Sequence, residues 1–264
     1  MPSLRPIFFT IALATLFTSA WAETFTDVDW NTGLFANCDL PRSYRVDKQQ
    51  QSVFWSEGSE DTKLHVNLHP GDVGACSSDR TPRDGAAYWE RAELIQSGNM
   101  PQGMHSLVRF QADFANGFTG KRETFFQIHG WTKQCQSAPL IMVQFDWRVL
   151  RVKVLKPDAE AADPASSRGR LEAVEQEIIP LADLKGKKNH FEISFDRSTF
   201  PNLVSVTLNG LPLVDNEPVH VVDCAVPRVK MGIYRPGNIN PAVSKLILDD
   251  VQITQDVYAE NAGL

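Results

Sequence analysis

Arg91, Gln127, His129 and Tyr234 are the side chains of this sequence whose types suit proton transfer beside an anion. Gln127 and His129 stand two apart in FFQIHGWTK, residues 125–133; Arg91 lies in YWERAEL and Tyr234 in RVKMGIYR. A guanidinium fork and an amide N–H are donors to an anionic oxygen. An imidazole, with an ordinary pKa near about 6.5, takes a proton near neutral pH. A phenol donates one. Each motif is weak alone. Gln-x-His is a common accident in a strand, Arg91 and Glu93 read equally as an ion pair along one strand face, and Tyr234 reads also as an ordinary half-buried tyrosine. What the residues mean depends on the elements that position them.

Those elements are strands. Residues 62–69, 88–95, 104–114, 123–130, 139–146, 147–155, 190–196, 204–210, 228–235 and 244–254 alternate apolar and polar residues between Gly, Pro, Asn and Asp. Asn209-Gly210 is a tight-turn signal. Residues 170–178, RLEAVEQEI, suit a short helix or a strand, and the Pro- and Ala-rich residues 156–170 read as a surface loop. Many strands and few helices predict an all-β sandwich of two antiparallel sheets, a jelly roll with a concave groove. Alternation then sorts the chemistry onto faces. Glu123, Phe125, Gln127 and His129 share one face, with Thr124, Phe126 and Ile128 on the core side. Trp89, Arg91 and Glu93 oppose Ala92 and Leu94. Arg228, Lys230, Gly232 and Tyr234 oppose Val229, Met231 and Ile233. If these strands share a sheet, Arg91, Gln127, His129 and Tyr234 converge on one groove, and Gly232 leaves room there for a ligand.

Composition limits the setting. Residues 1–22 carry an early Arg5, an apolar run from Ile7 to Phe17 and a terminal Ala20-Trp21-Ala22. That is the pattern of a cleaved signal peptide, so a secreted or periplasmic product is expected, with residues 23–264 forming one domain and no membrane partner. Cys38, Cys76, Cys135 and Cys224 are even in number, as in a chain with two disulfides, and none has C-x-x-C spacing for a zinc knuckle. The formal net charge is −6, one unit more negative once Arg5 is removed, which argues against a nucleic-acid partner. Within 121–153, however, Lys121, Arg122, Lys133, Arg148, Arg151 and Lys153 face only Glu123 and Asp146. A local basic surface attracts an anionic substrate, although lysines on a solvated strand edge give the same pattern.

In their order, these motifs resemble those of the jelly-roll polysaccharide lyases: alginate lyases, glucuronan lyases and heparin lyase I-like proteins. The alginate lyases carry R-(S/T)-E-L, Q-(I/V)-H and Y-F-K-A-G-x-Y-N-Q. Here stand Arg91-Ala92-Glu93-Leu94, Gln127-Ile128-His129 and Lys230-Met231-Gly232-Ile233-Tyr234-Arg235. Ala92 replaces Ser/Thr, and Arg235-Pro236 replaces Asn-Gln, which is closer to the glucuronan and heparin lyase-like branch. VSVTLNGLPL, residues 204–213, also looks like that branch, and the resemblance spans roughly residues 85–255. It implies β-elimination from a polyuronate, an anionic polysaccharide substrate, with glucuronan or alginate expected. The carboxylate is neutralised by Arg91 and Gln127, the C5 proton leaves to His129, and O4 is protonated by Tyr234. For the opposite C5 geometry, Tyr234 serves as both base and acid if a nearby cation favours its phenolate. Lys230 and Arg235 are candidates for that cation or for substrate contacts. Glu93 orients Arg91, and Trp131 either stacks on a sugar or packs on the sheet.

No cofactor is expected. Asp249-Asp250 could hold a structural calcium, with a solvated strand end as the plainer reading. His65 and His69 lie about 13 Å apart along a strand, at ~3.3 Å per residue, too far to share a zinc. The expected disulfides are Cys38–Cys76 and Cys135–Cys224, and a monomer is expected. Two other functions fit the same architecture: a lectin-like module that holds sugar without cutting, and a glycoside hydrolase. A hydrolase needs two carboxylates across the bond, and the groove-facing strands offer mainly Glu93 and Glu123.

Overall fold

The computed structural model describes residues 34–35, 53–55, 63–82, 84–132, 135, 138–158 and 169–257. The expected leader, residues 1–22, and Cys38 lie outside them. Strands follow one another as β1 (Leu34–Phe35), β2 (Val53–Trp55), β3 (Leu64–Leu68), β4 (Trp89–Gln96), β5 (Met104–Phe114), β6 (Glu123–His129) and β7 (Pro139–Asp146). The remainder are β8 (Val149–Lys156), β9 (Arg170–Ala173), β10 (Asn189–Asp196), β11 (Asn202–Leu208), β12 (Leu211–Val219), β13 (Arg228–Pro236) and β14 (Ser244–Val257). One helical turn, α1 (Leu181–Leu184), precedes β10. Residues 170–178 therefore supply a short strand and no helix.

The strands form two antiparallel sheets, the jelly-roll sandwich expected from the alternation. The groove sheet has the order β1-β4-β13-β6-β7-β8-β9, and the outer sheet has the order β12-β11-β10-β5-β14-β3-β2. Between them lies a phenylalanine-rich core. Phe114 meets Phe125 and Phe145 edge-on, with centroids 5.1 and 5.0 Å apart, and Phe110 stacks on Phe191 at 5.2 Å. Edge-to-face packing suits the ring quadrupoles. Asn209-Gly210 makes the expected tight turn between β11 and β12, both residues left-handed, at φ 52° and 80°.

The groove sheet departs from strict alternation near Thr124, and the β6–β7 register slips again between Ile128 and His129. The β6–β7 register slips between Thr124 and Phe126, and the β13–β6 register slips between Met231 and Tyr234. A bulge adds one residue and turns the following side chains over. As a result Phe125 packs in the core with Phe126, and Thr124 lines the groove instead. The predicted shared face of Glu123, Phe125, Gln127 and His129 survives only for the last two. Glu123 turns inward, where Arg235 donates to it from Nη1 at 3.0 Å and to Glu90 from Nε at 2.6 Å.

Gly232 lies at the β13 side of this irregularity, with φ +145°. A Cβ there would meet the Ala92 carbonyl oxygen at 2.1 Å. Its space is filled by the backbone of β4, so the glycine serves strand packing and not ligand access.

Candidate active site

The groove lies on the solvent side of the groove sheet and encloses about 1130 Å³. Its floor is set by register. Tyr234 pairs with Arg91 on β4 and with Thr124 on β6, which in turn pairs with Gln144 on β7. A second row runs from Ile95 through Lys230 and Gln127 to Met142 and Lys153. A third brings Arg228 beside His129. Arg91, Gln127, His129, Trp131, Lys230 and Tyr234 all line the same groove.

Arg91 is held on three sides. Its Nη2 donates to Asp79 Oδ1 at 2.9 Å, and its Nη1 lies 3.5 Å from Glu93 Oε2. Its guanidinium carbon sits 4.0 Å from the centroid of the Tyr234 ring, a cation–π contact. Trp89 stacks on the same ring, with centroids 4.8 Å apart. Glu93 is fully buried and accepts a 2.6 Å hydrogen bond from Gln127 Nε2. Glu93 thus orients both donors and touches the groove through them.

Asp79 was not found from the strand pattern. It sits on a 3-10 turn, Ser77–Arg80, that follows Cys76, and it is fully buried. Gly74 makes that reach possible, because a Cβ on Gly74 would lie 2.0 Å from Asp79 Oδ2. Cys76 is itself disulfide-bonded, which anchors the turn.

At the other end of β6, the backbone N–H of Trp131 donates to His129 Nδ1 at 3.0 Å. A backbone amide only donates, so Nδ1 is the acceptor and the neutral ring carries its proton on Nε2. Cys135 and Cys224 are bridged, with Cα atoms 5.4 Å apart, as expected. The bridge ties the loop after His129 to the segment before β13, and Val226 N donates to Gly130 O at 3.1 Å beside it. Trp131 is exposed at the groove lip and does not pack into the sheet.

Arg235 does not reach the groove. It is fully buried between Glu90 and Glu123. The reason is already in its position: one residue after Tyr234 it takes the face of Val229, Met231 and Ile233. Its role as a substrate contact, or as the cation beside Tyr234, is corrected accordingly; the guanidinium over the ring is that of Arg91. Glu123 leaves the groove for the same cluster, so of the two carboxylates expected on the groove-facing strands only Glu93 stays beside it.

Several further residues line the groove: Thr124, Gln144, Arg122, Lys153 and Arg228. Gln144 and Lys153 follow from alternation along β7 and β8. Thr124 Oγ1 donates to Gln144 Oε1 at 3.2 Å, which leaves the Gln144 amide N–H groups as donors for a ligand. Arg122 and Lys153 show that part of the basic stretch 121–153 faces the groove, whereas Arg151 is committed to Glu175. No group of three or more His, Cys, Asp or Glu residues suits a metal ion among the described residues. Asp249 pairs with Lys188 at 3.2 Å, and Asp250 accepts from Gln111, so these carboxylates already have protein partners.

No family model matches the sequence, and no curated protein matches it. Solved structures do. Alginate lyase AlgAT5 from polysaccharide lyase family 7 aligns with a TM-score of 0.50 at 15% identity, over 78% of this chain and 83% of that one. A tyrosine-to-phenylalanine variant of the family 7 alginate lyase A1-II′, solved with a product, aligns with a TM-score of 0.52 at 14% identity, over 78% and 84%. The chain has the jelly-roll fold of these enzymes.

Proposed function

We propose that this protein is a secreted polysaccharide lyase that cleaves a polyuronate by β-elimination, with alginate or glucuronan as substrate. The observation that carries this reading is the grouping of Arg91, Gln127, His129 and Tyr234 on three adjacent strands of one groove floor. The two solved alginate lyases share the fold, and the basic side chains Arg122, Lys153, Arg228 and Lys230 give the groove the charge a polyanion needs.

The chemistry follows from the donors. A uronate carboxylate must be neutralised before C5 gives up its proton, and preorganised donors do this without reorganising. Gln127 is such a donor, fixed by Glu93, and Arg91 supplies the positive charge. With Nδ1 taken by Trp131 N–H, neutral His129 offers Nε2–H, so it acts as a third donor to the carboxylate and not as the base. Tyr234 is then both base and acid. As phenolate, stabilised by Arg91 over its ring, it takes the C5 proton. The electron pair forms the C4–C5 double bond, the C4–O4 bond breaks, and the same phenol returns its proton to O4. A single group does this where the C5 proton and O4 share one face of the ring, as in mannuronate and glucuronate.

The test is ultraviolet absorbance of the new double bond on mixing the mature protein with mannuronate-rich alginate, guluronate-rich alginate, glucuronan, hyaluronan and heparin in separate reactions. A rise with a mannuronate or glucuronate polymer is expected. Reducing ends without absorbance would mean a hydrolase, and binding without either would mean a lectin.

A further inference from the structure

Eight non-glycine residues are left-handed among the described residues, and only Arg122, Trp147 and Arg148 are neither Asn nor Asp. Their φ angles are 52°, 49° and 69°; Arg122 and Trp147 line the groove, and Arg148 follows Trp147 in the β7–β8 turn. Asp84, at φ 51°, joins them, its carbonyl accepting from Arg122 Nη1 at 3.3 Å. Residues with a Cβ are disfavoured in this region, and large ones most of all. A two-residue hairpin turn of this kind ordinarily carries Asn-Gly, and this protein does use that pair at Asn209-Gly210. Between β7 and β8 it uses Trp147-Arg148 instead.

The turn is held in place. Arg148 N donates to Gly120 O at 2.7 Å, and Leu181 N donates to Arg148 O at 2.7 Å. Yet the indole of Trp147 is 64% exposed, so core packing does not explain why it is there. Strained backbone maintained by its surroundings collects at ligand sites. Asp84, Arg122, Asp146 and Trp147 all line the groove at this end.

The structure assigns this end of the groove as a distal sugar subsite, in which the Trp147 indole stacks on the C–H face of a uronate ring and Arg122 takes its carboxylate. The assignment rests on the polyuronate reading of the groove. Trp147 lies three residues beyond Gln144, which shares the Tyr234 row, or ~10 Å at 3.3 Å per residue. It therefore meets a unit further along the chain than the one being cleaved. Asp84 and Asp146 also line this end, and a carboxylate accepts from sugar hydroxyls but repels a uronate carboxylate, which leaves Arg122 as the place for the latter.

The experiment is titration calorimetry of mannuronate and glucuronate hexamers against Tyr234→Phe protein, which keeps the ring and removes the proton carrier. Trp147→Ala, Trp147→Asn and Arg122→Ala are added in that background, each with a thermal melt. Trp147→Ala and Trp147→Asn are expected to weaken hexamer binding about tenfold, while Trp147→Asn raises the melting temperature by relieving the turn. Arg122→Ala is expected to weaken binding most at low salt. An unchanged hexamer Kd in folded Trp147→Ala would overturn the subsite. If the Tyr234→Phe parent binds neither hexamer, the polyuronate reading itself fails, and the subsite with it.

Discussion

The two sheets of this sandwich are built from the same kinds of strand but obey different rules. In the outer sheet, β10 and β11 bury every second residue and leave the others partly or fully exposed, and their register runs without a slip over Phe191–Asp196. In the groove sheet, β4 is buried along its whole length although it carries Glu90, Arg91 and Glu93, and the register of β6 slips against both β7 and β13. The outer sheet buries only a few polar side chains, such as Asn189, Asn202 and Ser244, and among the described residues none of its strands buries an arginine. The groove sheet spends part of its burial on polar groups that must each be satisfied. Asp79 and Glu93 hold Arg91, Glu93 also holds Gln127, and Glu90 and Glu123 hold Arg235. The difference coincides with the groove proposed as the active site.

On the proposed mechanism, breaking the groove sheet at Tyr234 gives the largest effect. Tyr234→Phe is expected to lower kcat by roughly 10³-fold or more, with an unchanged circular dichroism spectrum, because it removes the proton carrier and keeps the stacked ring. Gln127→Ala is expected to lower kcat about 10²–10³-fold through loss of one preorganised donor, measured as initial rates of double-bond formation. Arg235→Ala separates structure from chemistry. Removing the guanidinium strands two buried carboxylates, so denaturant unfolding should show a loss of about 3–5 kcal/mol. The outer sheet offers the matching control. Arg109 and Glu192 make a cross-strand pair at 2.6 Å, but both are about half exposed. Arg109→Ala should cost under about 1 kcal/mol and leave activity alone. If Arg109→Ala cost as much as Arg235→Ala, the contrast between the sheets would be wrong.

Legibility in the sequence follows the same division. Period-two patterning finds β3, β5, β10, β11 and β14 of the outer sheet and the shared faces of Arg91 with Glu93 and of Gln127 with His129, and the Asn209-Gly210 signal finds the turn; β2 and β12 are not among its strands. It failed where the groove sheet breaks its own period. A bulge inserts a residue with no signature in composition, so Phe125 and Thr124 exchanged faces unannounced. Arg235 was misplaced because charge outweighed position, although alternation from Tyr234 already put it inside. Asp79 lies on an irregular turn, and its contact with Arg91 depends on the room left by Gly74, which no periodicity reports. The Trp147-Arg148 turn was hidden inside an apparent strand because it lacks every residue that usually marks such a turn.

The central claim is that Tyr234 moves the proton within a polyuronate groove. Its most direct test is one titration read two ways: wild-type and Tyr234→Phe protein mixed with mannuronate and glucuronate hexamers separately, following ultraviolet absorbance for the double bond and calorimetry for binding, and judged on whichever hexamer the wild type cleaves. The account predicts absorbance with wild type only and hexamer binding by the phenylalanine variant. Equal absorbance from both proteins would contradict it, and would move the base to another residue of the groove.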